Sequence, residues 1–219
     1  MTKQVSHCYR HAQRPASRRP HRWSIRLLAV SGLGLASILT LKPVAAKADE
    51  PTLAAVTNDP PTDPVGAVAS ALTECTKPMD HQQRWSLARL IHDESREHGY
   101  DPLFITALVQ VESGCSPTAR AGGAIGLTQL LPSTARGVAE RAGVTWRGPQ
   151  TLTDPEANIQ IGVQYLAELE DMLDDPYKAV AAYNLGPAPV LRMSAQRAKQ
   201  MRYVRKVLAR YEALRELYA

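Results

Sequence analysis

Glu112 stands at the end of an apolar run, Leu103 to Val111, and is followed by Ser113 and Gly114. A run of that length and composition reads as a helix that delivers one carboxyl group to its C-terminal end. A helix C-terminus carries partial negative charge, and apolar neighbours desolvate whatever sits there, so both effects favour the protonated form of Glu112. A carboxyl group that keeps its proton near neutral pH is a general acid. A glycine-rich turn containing Gly122, Gly123 and Gly126 comes next, and a second short apolar helix is expected over Ile125 to Leu131. Two helix ends then meet around Glu112.

Other chemistry finds little footing. His81, His92 and His98 lack a metal-ligand pattern such as His-Glu-x-x-His, so neither a metal nor a cofactor is expected. There is no Gly-x-Ser-x-Gly elbow and no glycine-rich phosphate loop. A Cys-His nucleophile built on Cys115 would need a histidine from the first helix, and Cys115 sits more naturally in a bridge.

The elements that must position Glu112 are punctuated by caps and prolines. Trp85, Ala88, Leu90, Ile91 and Ser95 fit one face of a helix stopped at Gly99, and Asp101-Pro102 opens the next. Pro132-Ser133-Thr134 leads into a helix over Ala135 to Ala142. Thr153-Asp154-Pro155 opens a longer one to Leu173, with Asn158, Ile161, Gly162, Tyr165, Leu166, Leu169 and Met172 near one stripe. Asp175-Pro176 opens a helix through Ala182, and Met201, Val204, Leu208, Tyr211, Leu214 and Tyr218 mark a final amphipathic helix. No period-two strand is evident, so the class expected is all-α, with one core and no internal repeat.

Ahead of these helices the composition changes twice. Leu27 to Leu41 is an uncharged apolar stretch behind a basic segment, closed by Ala46-Lys47-Ala48 before Asp49. This reads as an export signal over residues 1–48. Its alternative, an uncleaved membrane anchor, wants about twenty apolar residues. Residues 49–80, rich in Pro, Thr and Asp, read as a flexible linker in which Val65 to Leu72 could form a short helix, and the folded domain is expected over 81–219. Residues 1–48 hold nine of the 26 Lys and Arg and none of the 21 Asp and Glu, which leaves 17 basic against 21 acidic residues beyond them. The basic pI belongs to the leader and gives no warrant for nucleic-acid binding. An exported chain is permitted disulfides, so Cys75 and Cys115 can pair and close a loop of about forty residues, an effect of roughly 4 kcal/mol in the chain-entropy model. Two buried free thiols are the alternative.

Glu112-Ser113, then Gly126-Leu127-Thr128-Gln129-Leu130-Leu131-Pro132, then Ala182-Tyr183-Asn184-Leu185-Gly186-Pro187 stand in this order. These motifs, with Asn158 to Leu166 as a fourth matching segment, resemble the lytic transglycosylase family of the lysozyme superfamily, over about residues 82 to 210. The resemblance implies a helical lysozyme-like domain with a glycan cleft between helices. It also implies cleavage of peptidoglycan between N-acetylmuramic acid and N-acetylglucosamine by one glutamate, here Glu112, with a 1,6-anhydro sugar as product. Asp93, Glu94, Glu97, Asp101, Glu140 and Asp154 read as helix faces and caps, so the second carboxylate that a hydrolase needs is missing.

In the substrate-binding roles the resemblance points to Ser113, Gly126, Gln129, Tyr183 and Asn184. Gln129 can donate to and accept from an N-acetyl group, and glycine at 126 lets backbone approach a sugar. Two departures bear on the site. Thr128 stands where many relatives carry Met, which would alter a cleft wall, and the serine that many relatives place about nine residues beyond the glutamate is absent, so Tyr183 is expected to hydrogen-bond Glu112 instead. The partners expected are peptidoglycan strands and cell-wall or secretion-apparatus proteins, with no nucleic acid and no membrane beyond the export signal or an anchor. The place expected is the periplasm, the cell wall or the medium. A non-catalytic or hydrolytic peptidoglycan-binding accessory of a secretion apparatus is the competing reading.

Overall fold

The computed structural model describes residues 63–218; the expected leader and the linker as far as residue 62 lie outside them. From there the short helix allowed for at Val65 to Leu72 forms. α1 (Pro64–Ala71) is capped by Asp63, whose carboxylate accepts from the Val65 and Gly66 N–H groups. It buries Val68, Ala69 and Ala71, and Leu72 follows them into the core. The boundary expected at 80/81 therefore falls inside packed structure. The small apolar side chains of α1 explain it, because they let a short helix lie close against α2 (His81–Glu97), α3 (Pro102–Ser113) and α9 (Arg202–Tyr218).

α3 is the axis of the domain. Asp101 caps it, Pro102 opens it, and its seven residues from Leu103 to Val109 are all buried, as happens when a helix is packed on every side. Truncating one of them, for example Leu108→Ala, costs about 2–5 kcal/mol. α3 ends where Gly114 adopts φ +60°; a Cβ there would lie 2.1 Å from Thr76 Oγ1. Glycine at this point leaves Glu112 in the last turn.

The helix expected over Ile125 to Leu131 is absent. β1 (Arg120–Ala121) pairs with β2 (Ala124–Ile125) in a short antiparallel hairpin, and a tight turn then brings Leu130 back to bridge Ile125. Left-handed backbone at Gly126 (φ +87°) and Gln129 (φ +48°) breaks the helical path. α4 (Pro132–Val138) begins only after this turn.

A 3-10 turn over Pro149–Thr153 leads into α5 (Pro155–Leu173), capped by Asp154. Its inward stripe matches expectation except at Met172, which is 58% exposed; Leu173, one turn beyond Leu169, is buried instead. α6 (Pro176–Leu185) packs against α5, α9, α7 (Pro187–Val190) and α8 (Ala195–Gln200), and α8 also meets α9. The described residues are therefore all-α apart from one hairpin. None of their helices is long and apolar enough to cross a membrane.

Cys75 and Cys115 form the disulfide, with Cα atoms 5.7 Å apart. It ties the segment after α1 to the residue just beyond α3. A polar clamp reinforces it: Gln110 Nε2 donates to the Ala71 carbonyl (2.8 Å), and Arg210 donates to Gln110 Oε1 (2.5 Å) and Glu74 Oε2 (2.9 Å).

Candidate active site

Glu112, half-buried in the last turn of α3, accepts a short hydrogen bond from the Tyr203 hydroxyl in the first turn of α9. Burial pushes its carboxyl above the usual carboxylate range; the Tyr203 hydrogen bond and the nearby Lys206 cation pull it only part of the way back. Burial and the charge of Glu112 together raise the Tyr203 phenol well above its ordinary value, so it stays a neutral donor. Among the described residues no second carboxylate is among the groups that perturb Glu112. Asp101 and Asp154 are occupied as helix caps, and Asp93 pairs with His92.

Tyr183, expected as the partner of Glu112, serves differently. It is buried, its ring packs 5.4 Å from that of Tyr165, and its hydroxyl donates to the Thr128 carbonyl (3.1 Å). It still lies near the site, since the charge of Glu112 contributes to raising its phenol after burial has done so. Tyr203 is thus the neighbour of Glu112 that sequence reading passed over. It stands 91 positions from Glu112 and just off the apolar stripe of α9. The available signal was an aromatic hydroxyl at a helix start, beside a face that must bury it.

The turn holding Gln129 is organised by Asn158 of α5. Asn158 is fully buried; its Oδ1 accepts from Thr128 N (2.8 Å) and Thr128 Oγ1 (2.7 Å), while its Nδ2 donates to the carbonyls of Ile125 (3.1 Å) and Leu152 (3.0 Å). Gly126 is needed because a Cβ there would lie 2.1 Å from Asn158 Nδ2. Its close approach is to α5, which corrects the expectation that it faces a sugar. Thr128 is likewise buried against Asn158 and Gly162 and forms no cleft wall.

Ser113 also turns inward: its hydroxyl lies 3.1 Å from the Val109 carbonyl and 2.7 Å from that of Leu127, joining α3 to the turn. Gln129 donates its Nε2 to the carbonyls of Ala119 (3.2 Å) and Gly126 (2.8 Å), so only its Oε1 remains to meet a ligand. Asn184 is exposed at the end of α6. The structure thus brings Glu112, Tyr203, Tyr183 and the Thr128 turn together and makes Ser113 and Gly126 parts of the frame. A separate groove of about 840 Å³, lined among others by Met79, Leu90, Cys115, Pro117 and Asp154, lies beside α2 and does not include Glu112.

The family model described as the transglycosylase SLT domain matches residues 89–205, and the chain belongs to that family. It is 40% identical over 107 residues to the endo-type membrane-bound lytic murein transglycosylase A of Klebsiella pneumoniae, covering 43% of this chain and 52% of that protein. It is 42% identical over 115 residues to the Salmonella choleraesuis protein of the same name, covering 46% and 56%. The chain thus spans about half the length of the curated relatives it matches.

Among solved structures it is similar to an inactive Glu-to-Gln variant of the lytic transglycosylase Slt from Pseudomonas aeruginosa, with a TM-score of 0.54 and 27% identity over 64% of this chain and 24% of that one. It is also similar to the 70 kDa soluble lytic transglycosylase of Escherichia coli, with a TM-score of 0.51 and 25% identity over the same shares.

Proposed function

We propose that the protein is a peptidoglycan lytic transglycosylase that cleaves the β-1,4 bond between N-acetylmuramic acid and N-acetylglucosamine, with Glu112 as the single acid and base. The observation that carries this is the raised carboxyl pKa of Glu112 beside the Tyr203 donor, with no second carboxylate acting on it among the described residues. Protonated Glu112 gives its proton to the leaving glycosidic oxygen as the C1–O bond breaks, and the muramic acid's 2-acetamido oxygen supports the developing charge at C1. The C6 hydroxyl oxygen then bonds to C1, and the Glu112 carboxylate takes the C6 hydroxyl proton. The glutamate is restored, no water is consumed, and a 1,6-anhydro end is left.

Membership of the SLT family supports this reading, as do the transglycosylase names of the relatives and the inactivity of a Glu-to-Gln variant in a structural neighbour. The Cys75–Cys115 bridge suits work in an oxidising compartment, so export is part of the proposal. Digestion of purified sacculi followed by mass spectrometry tests it. Muropeptides one water lighter than the reducing-end species are expected. Reducing ends would instead mean hydrolysis, and intact sacculi would mean a binding role.

A further inference from the structure

The charge of the described residues is segregated. Residues 63–187 hold nine basic and 16 acidic side chains, whereas residues 188–218 hold eight basic and two acidic. Several of these cations are already engaged: Lys199 stacks over Tyr177, Arg210 binds Glu74 and Gln110, and Arg215 lies over Tyr211. Arg202, Arg205 and Lys206 are exposed and make no ion pair among the described residues.

Helix geometry separates these three. With about 100° per residue, Lys206 and Arg202 lie roughly 60° and 100° to one side of Tyr203, while Arg205 lies roughly 160° away. Val204, Val207, Leu208, Tyr211 and Leu214 occupy the buried arc on the other side of Tyr203. Tyr203 is thus the edge of the packed face, and Arg202 and Lys206 are the first residues beyond it, on the open flank. Because Tyr203 touches Glu112, and Arg210 on the same edge touches Gln110, this flank borders the last turns of α3. The first turn of α9 holds no acidic residue to neutralise it.

We infer that Arg202 and Lys206 form a cationic ledge that receives a carboxylate of the peptide branch on a muramic acid next to the scissile bond. This rests on the function proposed above and names the part of that substrate which the ledge reads. The N-acetylated sugars are uncharged, whereas each muramic acid carries, through its lactyl ether, a short peptide with free carboxylates. A pair of guanidinium and ammonium groups at the rim of an otherwise acidic domain is complementary to that branch and to nothing in the bare sugar backbone. Lys206 stands about one turn along α9 from Tyr203, the residue that touches Glu112, and its charge acts on that carboxyl group.

The test compares soluble peptidoglycan strands with the same strands after conversion of their carboxylates to methylamides, at low salt, for the wild type, the Arg202→Gln/Lys206→Gln variant and Arg205→Gln as a single-charge control on the far side of α9. For exposed ion pairs the expected loss of kcat/KM on amidation is about two- to tenfold for the wild type and for Arg205→Gln, fading as salt is raised. The double variant should start lower on native strands and lose nothing further on amidation. Equal dependence on amidation in the wild type and the double variant would overturn the inference, as would an Arg205→Gln variant that behaves like the double one. Failure of the wild type to cleave either substrate would instead strike the proposed function itself.

Discussion

Two junctions of α3 with the rest of the fold handle polar groups in opposite ways. Where α3 and its following turn meet α5, all four bonding positions of the Asn158 side chain are occupied, three by the turn and one by the Leu152 carbonyl, and Thr128 bonds through N, Oγ1 and its carbonyl. Where α3 meets α9, Glu112 has one tyrosine donor and the Lys206 cation, which do not offset its burial. The first arrangement is what a buried amide needs in order to stabilise a turn. The second leaves a carboxyl group that burial disposes to keep its proton. The two junctions differ in how completely their polar groups are satisfied.

The comparison is broken most directly at the reactive group. Glu112→Gln keeps the shape and an acceptor for Tyr203 but removes the transferable proton; cleavage of sacculi should fall by about 10²–10⁴-fold, with the circular dichroism spectrum unchanged. The frame is broken next. Asn158→Leu leaves the Leu152 carbonyl and the Thr128 N–H without partners and takes one of two bonds from the Ile125 carbonyl, which keeps the Leu130 N–H; it should lower the unfolding free energy by about 3 kcal/mol or more in urea titration. An unchanged midpoint would show that the turn is held by something else.

Two smaller effects sharpen the contrast. Tyr203→Phe removes the hydrogen bond that favours ionised Glu112, so the high-pH limb of the activity profile should move upward and the rate at the optimum should drop by about tenfold. A rate loss with an unmoved limb would make Tyr203 merely a packing residue. The smallest effect is on stability. Glu112 ionises less readily in the folded chain than in the unfolded one, so below the ordinary carboxylate pKa both states hold the proton. As pH rises from there towards the folded pKa, the wild type loses stability that a glutamine does not lose. The Tm of Glu112→Gln, measured against wild type, should therefore be relatively higher at pH 7 than at pH 4.

Much of this was legible in the residues. Asp101-Pro102, Asp154-Pro155 and Asp175-Pro176 mark the starts of α3, α5 and α6 because caps and first-turn prolines act through their nearest neighbours. The run from Leu103 to Val109 announces a core helix, and Glu112 follows at its end. The turn at Ile125 to Leu131 reads as helix in the sequence, since its apolar composition says burial while the positive φ at Gln129 belongs to a turn anchored on α5. The same holds for α1, whose small side chains look like linker until α2, α3 and α9 are there to cover them.

Local chemistry in the sequence determined where α3, α5 and α6 begin and that Glu112 closes a core helix, because those depend on residues a turn or two apart. Only the tertiary structure decided that Tyr203, and not Tyr183, hydrogen-bonds the Glu112 carboxyl, that Asn158 anchors the turn, and that Ser113, Gly126 and Thr128 face inward. Those choices depend on which helices pack side by side, and a hydrogen bond across 91 residues leaves no spacing in the chain by which to read it.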